Sequence, residues 1–228
     1  MKMMKALLPE PVLNKLRVAR ARRGNREFNS LSTQQVFSTI YEQGLWGKSE
    51  NPSQPFYSGT GSHDDSITAA YIAQVTEFLA SLPRKPDVVD LGCGDFAVGS
   101  RIRPFCGTYV ACDIVPQLIA HNKVKYSALD VDFRVLNLVS DPLPAGDVVC
   151  IRQVLQHLSN DDILQVVPKI RSTYSTLILT EHIPKSATFT PNLDKPTGPG
   201  IRIGYHSGIV LTQPPFNLRA LEERVLCE

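Results

Sequence analysis

The sequence predicts an α/β chain built on a doubly wound, mostly parallel sheet, and three observations point there. Apolar, β-branched runs recur at 87–91, 108–112, 131–135, 147–151 and 176–181, as strands buried on both faces require. Short helical segments lie between them near 97–103, 116–124 and 160–172. Alternating β and α units imply parallel strands joined by right-handed crossovers. The first run ends in Asp90-Leu91-Gly92-Cys93-Gly94-Asp95. This is a glycine turn at the carboxyl end of a strand, where such sheets bind ligands.

Ahead of the sheet the pattern is helical. Val12, Leu13, Leu16 and Ala19 fall at helical spacing within 10–23, with arginines opposite. Residues 31–42 predict a second helix with Val36, Phe37, Ile40 and Tyr41 as its apolar stripe, ended by Gly44. A polar Gly/Pro-rich loop spans 44–62. Ser62-x-x-Asp65 reads as a capping box opening a helix through Leu82. After the sheet, 183–208 is a long Pro/Gly/Thr-rich segment, of the kind that builds substrate sites. Glu223 to Cys227 reads as a sixth strand. Residues 1–83 are therefore expected to form an N-terminal helical arm and lid, and 84–228 a ligand-binding core.

Composition narrows the class. Of 228 residues, 43% are hydrophobic and 20% charged, ordinary for a globular protein. No apolar run approaches the roughly 20 residues of a membrane span, so no membrane partner is expected. Nor does Met1 to Leu8 read as a secretory signal. The five cysteines are odd in number and lack CxxC spacing, which predicts free thiols in a reducing, cytoplasmic setting. No metal-ligand spacing stands out. Residues 1–30 carry eight basic residues, among them Lys2, Lys5, Lys15 and Arg23, against Glu10 and Glu27, a net of +6 in a chain of +2. That arm could meet nucleic acid, although aromatics to stack bases are missing from it. Oligomeric state is written in no motif.

The candidate site assembles along the strand ends. Gly92, Cys93 and Gly94 are expected to offer backbone N–H groups to a ligand. Asp90 and Asp95 supply negative charge suited to a cationic one. The third glycine of a dinucleotide fingerprint is missing, which disfavours an NAD fold. Asp113 ends the second strand 19 residues past Gly94, the place for a carboxylate that accepts from a ribose diol. Ile114 follows it, to flank an adenine. Asn137 can accept from an adenine amine, with Leu138 beside it, although Asp141-Pro142 also reads as turn chemistry. Arg152 and Gln153 end the fourth strand. His157, one short turn further, is a candidate general base, and Glu181 and His182 at the end of the fifth strand compete with it.

Together these segments resemble bacterial class I S-adenosylmethionine (SAM) methyltransferases of the small-molecule type, over about residues 36–228. The marks are Phe37 to Trp46-Gly47, Tyr57-Ser58-Gly59-Thr60-Gly61-Ser62, Asp90 to Asp95 and Asp113. They continue with Asp141-Pro142-Leu143-Pro144, Arg152 to Leu158 and Pro214-Pro215-Phe216. The resemblance implies a Rossmann-like sheet of seven strands binding SAM across its first and fourth. It implies a lid made by the N-terminal helices and the Trp46–Ser62 loop, with Trp46, Ser58 and Gly59 reaching the cofactor. The expected reaction moves the sulfonium methyl to a hydroxyl, carboxyl or amine of a small molecule, leaving S-adenosylhomocysteine. An RNA methyltransferase using the basic arm and a non-catalytic SAM-binding module are the alternatives. Three departures stand out: Phe96 where relatives carry a small residue, Asn137 where Asp is common, and a chain that stops before the usual last antiparallel strand.

Overall fold

The computed structural model describes residues 9–28, 30–52, 54–186 and 188–227. The basic positions Lys2 and Lys5 lie outside them, as does the side chain of Arg22. The elements run α1 (Glu10–Gly24), α2 (Thr33–Gln43), α3 (Thr60–His63), α4 (Asp65–Ala80), β1 (Val88–Leu91), α5 (Gly99–Ile102) and β2 (Tyr109–Asp113). Then come α6 (Pro116–Lys125), β3 (Asp132–Val135), β4 (Val148–Arg152), α7 (Asn160–Thr173) and β5 (Thr176–Thr180). The five strands form one all-parallel sheet in the order β3-β2-β1-β4-β5. Chain order reverses between β1 and β4, and such a switch point opens a crevice at the strands' carboxyl ends.

The central strands β1, β2 and β4 are mostly apolar because both faces are covered, whereas edge strand β3 buries only Phe133 and leaves Asp132, Arg134 and Val135 exposed. Val89, Leu91, Val149 and Ile151 pack with Val36, Phe37 and Ile40 of α2 and Ile163, Val166 and Ile170 of α7. Val88, Ala111, Val148 and Cys150 face the other way, onto Tyr71, Ile72, Val75 and Leu79 of α4. Cys106, Cys112 and Cys150 are buried free thiols.

Phe96 takes φ +61°, a left-handed backbone that a non-glycine residue adopts at a cost. Its ring is fully buried and meets Tyr109, Tyr126 and Phe133 edge-on at 5.0–5.4 Å. Gly99 makes this possible: a Cβ there would overlap the Phe96 ring. The departure from a small residue is thus an aromatic anchor that buries large area and favours edge-to-face contacts.

Several expectations are corrected. Glu223 to Cys227 is not a strand. Leu221 and Val225 stay exposed, and only Leu226 and Cys227 rest on the α4 side of the core. Among the described residues the sheet has five strands, not seven. Ser62 does not open α4, because it lies inside the single turn α3. The cap is Asp64, which accepts from the Ser66 N–H at 2.8 Å. The Ser/Gln capping box occurs instead at α2, between Ser32 and Gln35. The apolar stripe of α1 is only partly covered, with Val12 and Leu16 exposed. No helix among the described residues is long and apolar enough to cross a membrane.

Candidate functional site

A cavity of about 500 Å³ opens over the carboxyl ends of β1, β2 and β4, within the range of small-molecule sites. Every residue singled out for the site lines it except Glu181. What they do there differs from the expectation in several places.

Gly92 and Gly94 have φ +80° and +56°, where only glycine is unstrained. Both are also crowded by protein. A Cβ at Gly92 would run into the Val154 methyls, and one at Gly94 would sit 2.5 Å from the Ser58 hydroxyl. The loop's N–H groups are already used. Gly92 and Cys93 donate to the Cys112 carbonyl at 2.8 and 2.9 Å, and Gly94 donates to Asp113 Oδ2 at 3.1 Å. The expectation that these N–H groups face a ligand fails, because the turn needs them to close on β2.

Three carboxylates stand at this wall. Asp90 is buried with Oδ2 accepting from the Tyr109 hydroxyl at 3.1 Å. Burial above all pushes its pKa up to about 7, with Asp113 adding to the rise. Asp113 accepts from Gly94 and, at 3.1 Å, from Val115 N–H. Burial raises it to about 6 against those hydrogen bonds. Both sites hold negative charge that the protein only partly compensates, an arrangement that suits a cationic ligand.

Asp95 plays another part. Its Oδ2 accepts from Ser58 N–H at 2.9 Å and pairs with His63 Nε2. Ser58 Oγ in turn accepts from Asp95 N–H at 2.8 Å and shares a proton with Tyr41 Oη at 2.9 Å. Desolvation raises the pKa of Asp95, but His63 together with the N–H groups of Ser58 and Ala97 outweighs it, and the net shift is downward. This acid therefore latches residues 54–63 onto the glycine loop rather than facing a ligand alone.

Trp46 packs against Phe37, Tyr41 and His157 and donates Nε1–H to the Pro199 carbonyl at 3.2 Å. Gly59 caps α3 at φ +86°. Ile114 accepts from Gln34 through its carbonyl at 3.0 Å. Asn137 Oδ1 accepts from Val139 N–H at 3.0 Å while Asp141 Oδ2 accepts from Asn137 N–H at 2.9 Å, so both residues shape the turn beside Leu138.

At the β4 end, Arg152 donates to the Gly61 carbonyl and the Ser62 hydroxyl and lies over the Tyr71 ring at 5.3 Å. Its buried Nε has no partner. Gln153, at φ +56°, donates its N–H to Thr180 O at 2.7 Å. His157 is buried among Trp46, Lys195 and the 198–200 backbone, and desolvation first, Lys195 second, lower its pKa to about 3. His182 is exposed at the cavity edge, with Nδ1 at 2.8 Å from Gln156 Oε1. Glu181 is turned away from the cavity. Its oxygens accept from the N–H groups of Val154, Leu155 and Gln156 at 2.7–3.1 Å, so it is bound as a backbone cap and drops out as a base.

Other contributors carry no sequence signal of their own. Asn122 of α6 donates to the Gly94 carbonyl at 2.7 Å. Arg202, 1% exposed, donates to the carbonyls of Leu193, Leu155, Gln156 and Leu158 and to Asn160 Oδ1. Lys195 Nζ donates to the His157 carbonyl at 3.0 Å. These two cations pin the loop after β4 against 191–202, whose Pro199, Gly200 and Ile201 complete the cavity wall.

Residues 89–172 match a family model described as a methyltransferase domain. No curated protein matches the chain in sequence. Among solved structures, magnesium protoporphyrin IX methyltransferase from Synechocystis PCC 6803 with bound SAM is 15% identical, with a TM-score of 0.50 over 69% of this chain and 79% of that one. N-methyltransferase NodS from Bradyrhizobium japonicum WM9, in complex with S-adenosylhomocysteine, is 12% identical, with a TM-score of 0.46 over 61% and 68%. At that identity the first likeness establishes the fold.

Proposed function

We propose that this chain is a class I S-adenosylmethionine-dependent methyltransferase that moves the sulfonium methyl to a hydroxyl, carboxyl or amine of a small molecule, a reading supported by the methyltransferase-domain match over 89–172. The observation that carries this reading is the division of one cavity between two walls. Under-compensated Asp90 and Asp113 stand on one, and His182, His157 and Gln153 on the other.

SAM fits the residues present. Its sulfonium supplies an electrophilic methyl and its carboxypropyl arm an ammonium and a carboxylate. On this reading Asp90 receives the ammonium, and Arg152, with its spare Nε–H, the carboxylate. Asp113 accepts from the ribose hydroxyls, and Ile114, Asn137 and Leu138 border the adenine. Residues 1–83 serve as arm and lid and 84–228 as the core. Trp46, Ser58 and Gly59 belong to the lid, and the Asp95–His63 pair is its latch. Closure excludes water and holds acceptor, methyl and sulfur in line, where most of the rate arises. His157 and His182 are the candidate proton acceptors.

Isothermal calorimetry with SAM and S-adenosylhomocysteine tests the reading first, and methyl transfer from radiolabelled SAM into small-molecule extracts tests it second. Binding of both, with label retained in a small product, is the expected result. Failure to bind either would overturn it.

A further inference from the structure

We propose that Gln156 is a positioning residue that presents the Nε2 lone pair of His182 to the acceptor, and that the acceptor group of this site is a hydroxyl. The inference rests on the methyltransferase reading above and narrows it.

The argument begins with which end of the Gln156 amide is which. One terminal atom of Gln156 lies 3.4 Å from the Gln153 carbonyl. A carbonyl only accepts, so the atom facing it is the amide nitrogen. The other terminal atom is then Oε1, and it stands 2.8 Å from His182 Nδ1. Oε1 also only accepts, so Nδ1 carries the proton and Nε2 of the neutral ring carries the lone pair. The same amide nitrogen reaches His157 Nε2 at 3.5 Å. Gln156 is 3% exposed, and its own N–H is tied to Glu181 Oε2 at 3.1 Å, so the amide has little freedom to turn over.

The chemistry of the surroundings selects the acceptor. The groups against His182 are Arg152 from β4 and Gln156 from the turn after it, and the neighbouring Glu181 spends its carboxylate on backbone N–H groups. Lys195 and Arg202 lie behind that turn. An ammonium acceptor would find no free carboxylate on this wall. A carboxylate acceptor is already nucleophilic and would have no use for a base. A hydroxyl needs one, since its proton must leave as its oxygen is alkylated. In the balanced step, a lone pair of the hydroxyl oxygen forms the new O–C bond. The S–C bond breaks with its pair going to sulfur. The hydroxyl proton passes to His182 Nε2 and then to water. Burial and Arg152 lower the pKa of His182, which keeps the ring neutral and ready to accept.

The test uses the full chain, labelled with ¹⁵N-histidine and saturated with S-adenosylhomocysteine. Long-range ¹H–¹⁵N spectra should show His182 as the Nδ1–H tautomer, and Gln156→Met should remove that preference while cofactor affinity by calorimetry stays within about twofold. With radiolabelled SAM and a panel of simple alcohols, carboxylates and amines, only alcohols should take up label. Their kcat should fall on the order of 10²-fold in His182→Asn. Gln156→Glu, which still accepts from Nδ1–H, should retain turnover and move the acid limb of kcat/KM to higher pH. An Nε2–H tautomer in the wild type, label in amines or carboxylates, or undiminished turnover in His182→Asn would each overturn the proposal. A wild type that binds no cofactor would instead overturn the methyltransferase reading beneath it.

Discussion

On one side of the cavity Asp90, Asp95 and Asp113 crowd around a single glycine turn; on the other, His157, His182, Gln153 and Gln156 carry no carboxylate among them. The first wall is tight and locally written. Its N–H groups close on β2, its glycines admit Val154 and Ser58, and its carboxylates are buried with pKa values held near 6 and 7 for Asp113 and Asp90. The second wall is assembled from afar. Arg202 and Lys195 reach across about 40 positions to grip the turn after β4. A charged wall suits a charged cofactor that never changes. On the function proposed above, a neutral wall borrowed from a long loop can be altered with the substrate while the cofactor side stays intact.

Four substitutions break or sharpen that contrast, in falling order of effect. Arg202→Met strips the donors from four backbone carbonyls and Asn160. It should cost about 3–5 kcal/mol in urea unfolding, because the buried carbonyls of Leu193, Gln156 and Leu158 lose the Arg202 donor, while that of Leu155 keeps the Leu158 N–H. Gly92→Ala meets both a positive φ and the Val154 methyls. The expected loss is about 2–3 kcal/mol by the same measurement, with cofactor binding falling alongside.

Asp113→Asn should weaken SAM on the order of tenfold by calorimetry, since hydrogen bonds to a charged partner are worth about 1.5–3 kcal/mol. The wild-type pH dependence has a definite sign. Asp90 and Asp113 are partly protonated near pH 6 before binding, and a cation favours their ionised forms. Affinity should therefore rise with pH until it passes about 7, and Asp113→Asn should flatten part of that rise. The smallest change is His63→Asn. Asn keeps a donor for the buried Asp95 carboxylate but not the charge, so stability should fall only about 1 kcal/mol and cofactor dissociation should quicken about threefold in stopped-flow traces.

The central strands were legible because burial on both faces leaves a nearly continuous apolar run, and Asp113 was legible because a parallel βαβ unit sets its distance from the glycine loop. The predicted strand at Glu223–Cys227 shows where such reasoning stops. Val225, Leu226 and Cys227 are apolar enough for a strand, yet nothing in a run of five residues says whether an edge pairs with it. His63 belongs to no motif that the sequence offers. Its partner is Asp95, 32 residues away, and no local pattern announces that pair. Glu181 and His182 are adjacent in sequence and equal as base candidates on paper. They separate only when the turn after β4 presents three N–H groups to one and an amide oxygen to the other.

By itself, then, the sequence determined the five strands, their boundaries to within a residue or two, and the glycine turn that ends the first of them. Those follow from periodicity and from glycine's backbone freedom, which act over a few residues. The tertiary structure alone decided which polar atoms remain free. A hydrogen bond is exhausted by whatever reaches it first, and in this chain the atoms that reach Asp95, Glu181 and the loop after β4 come from segments about 30 to 50 residues distant.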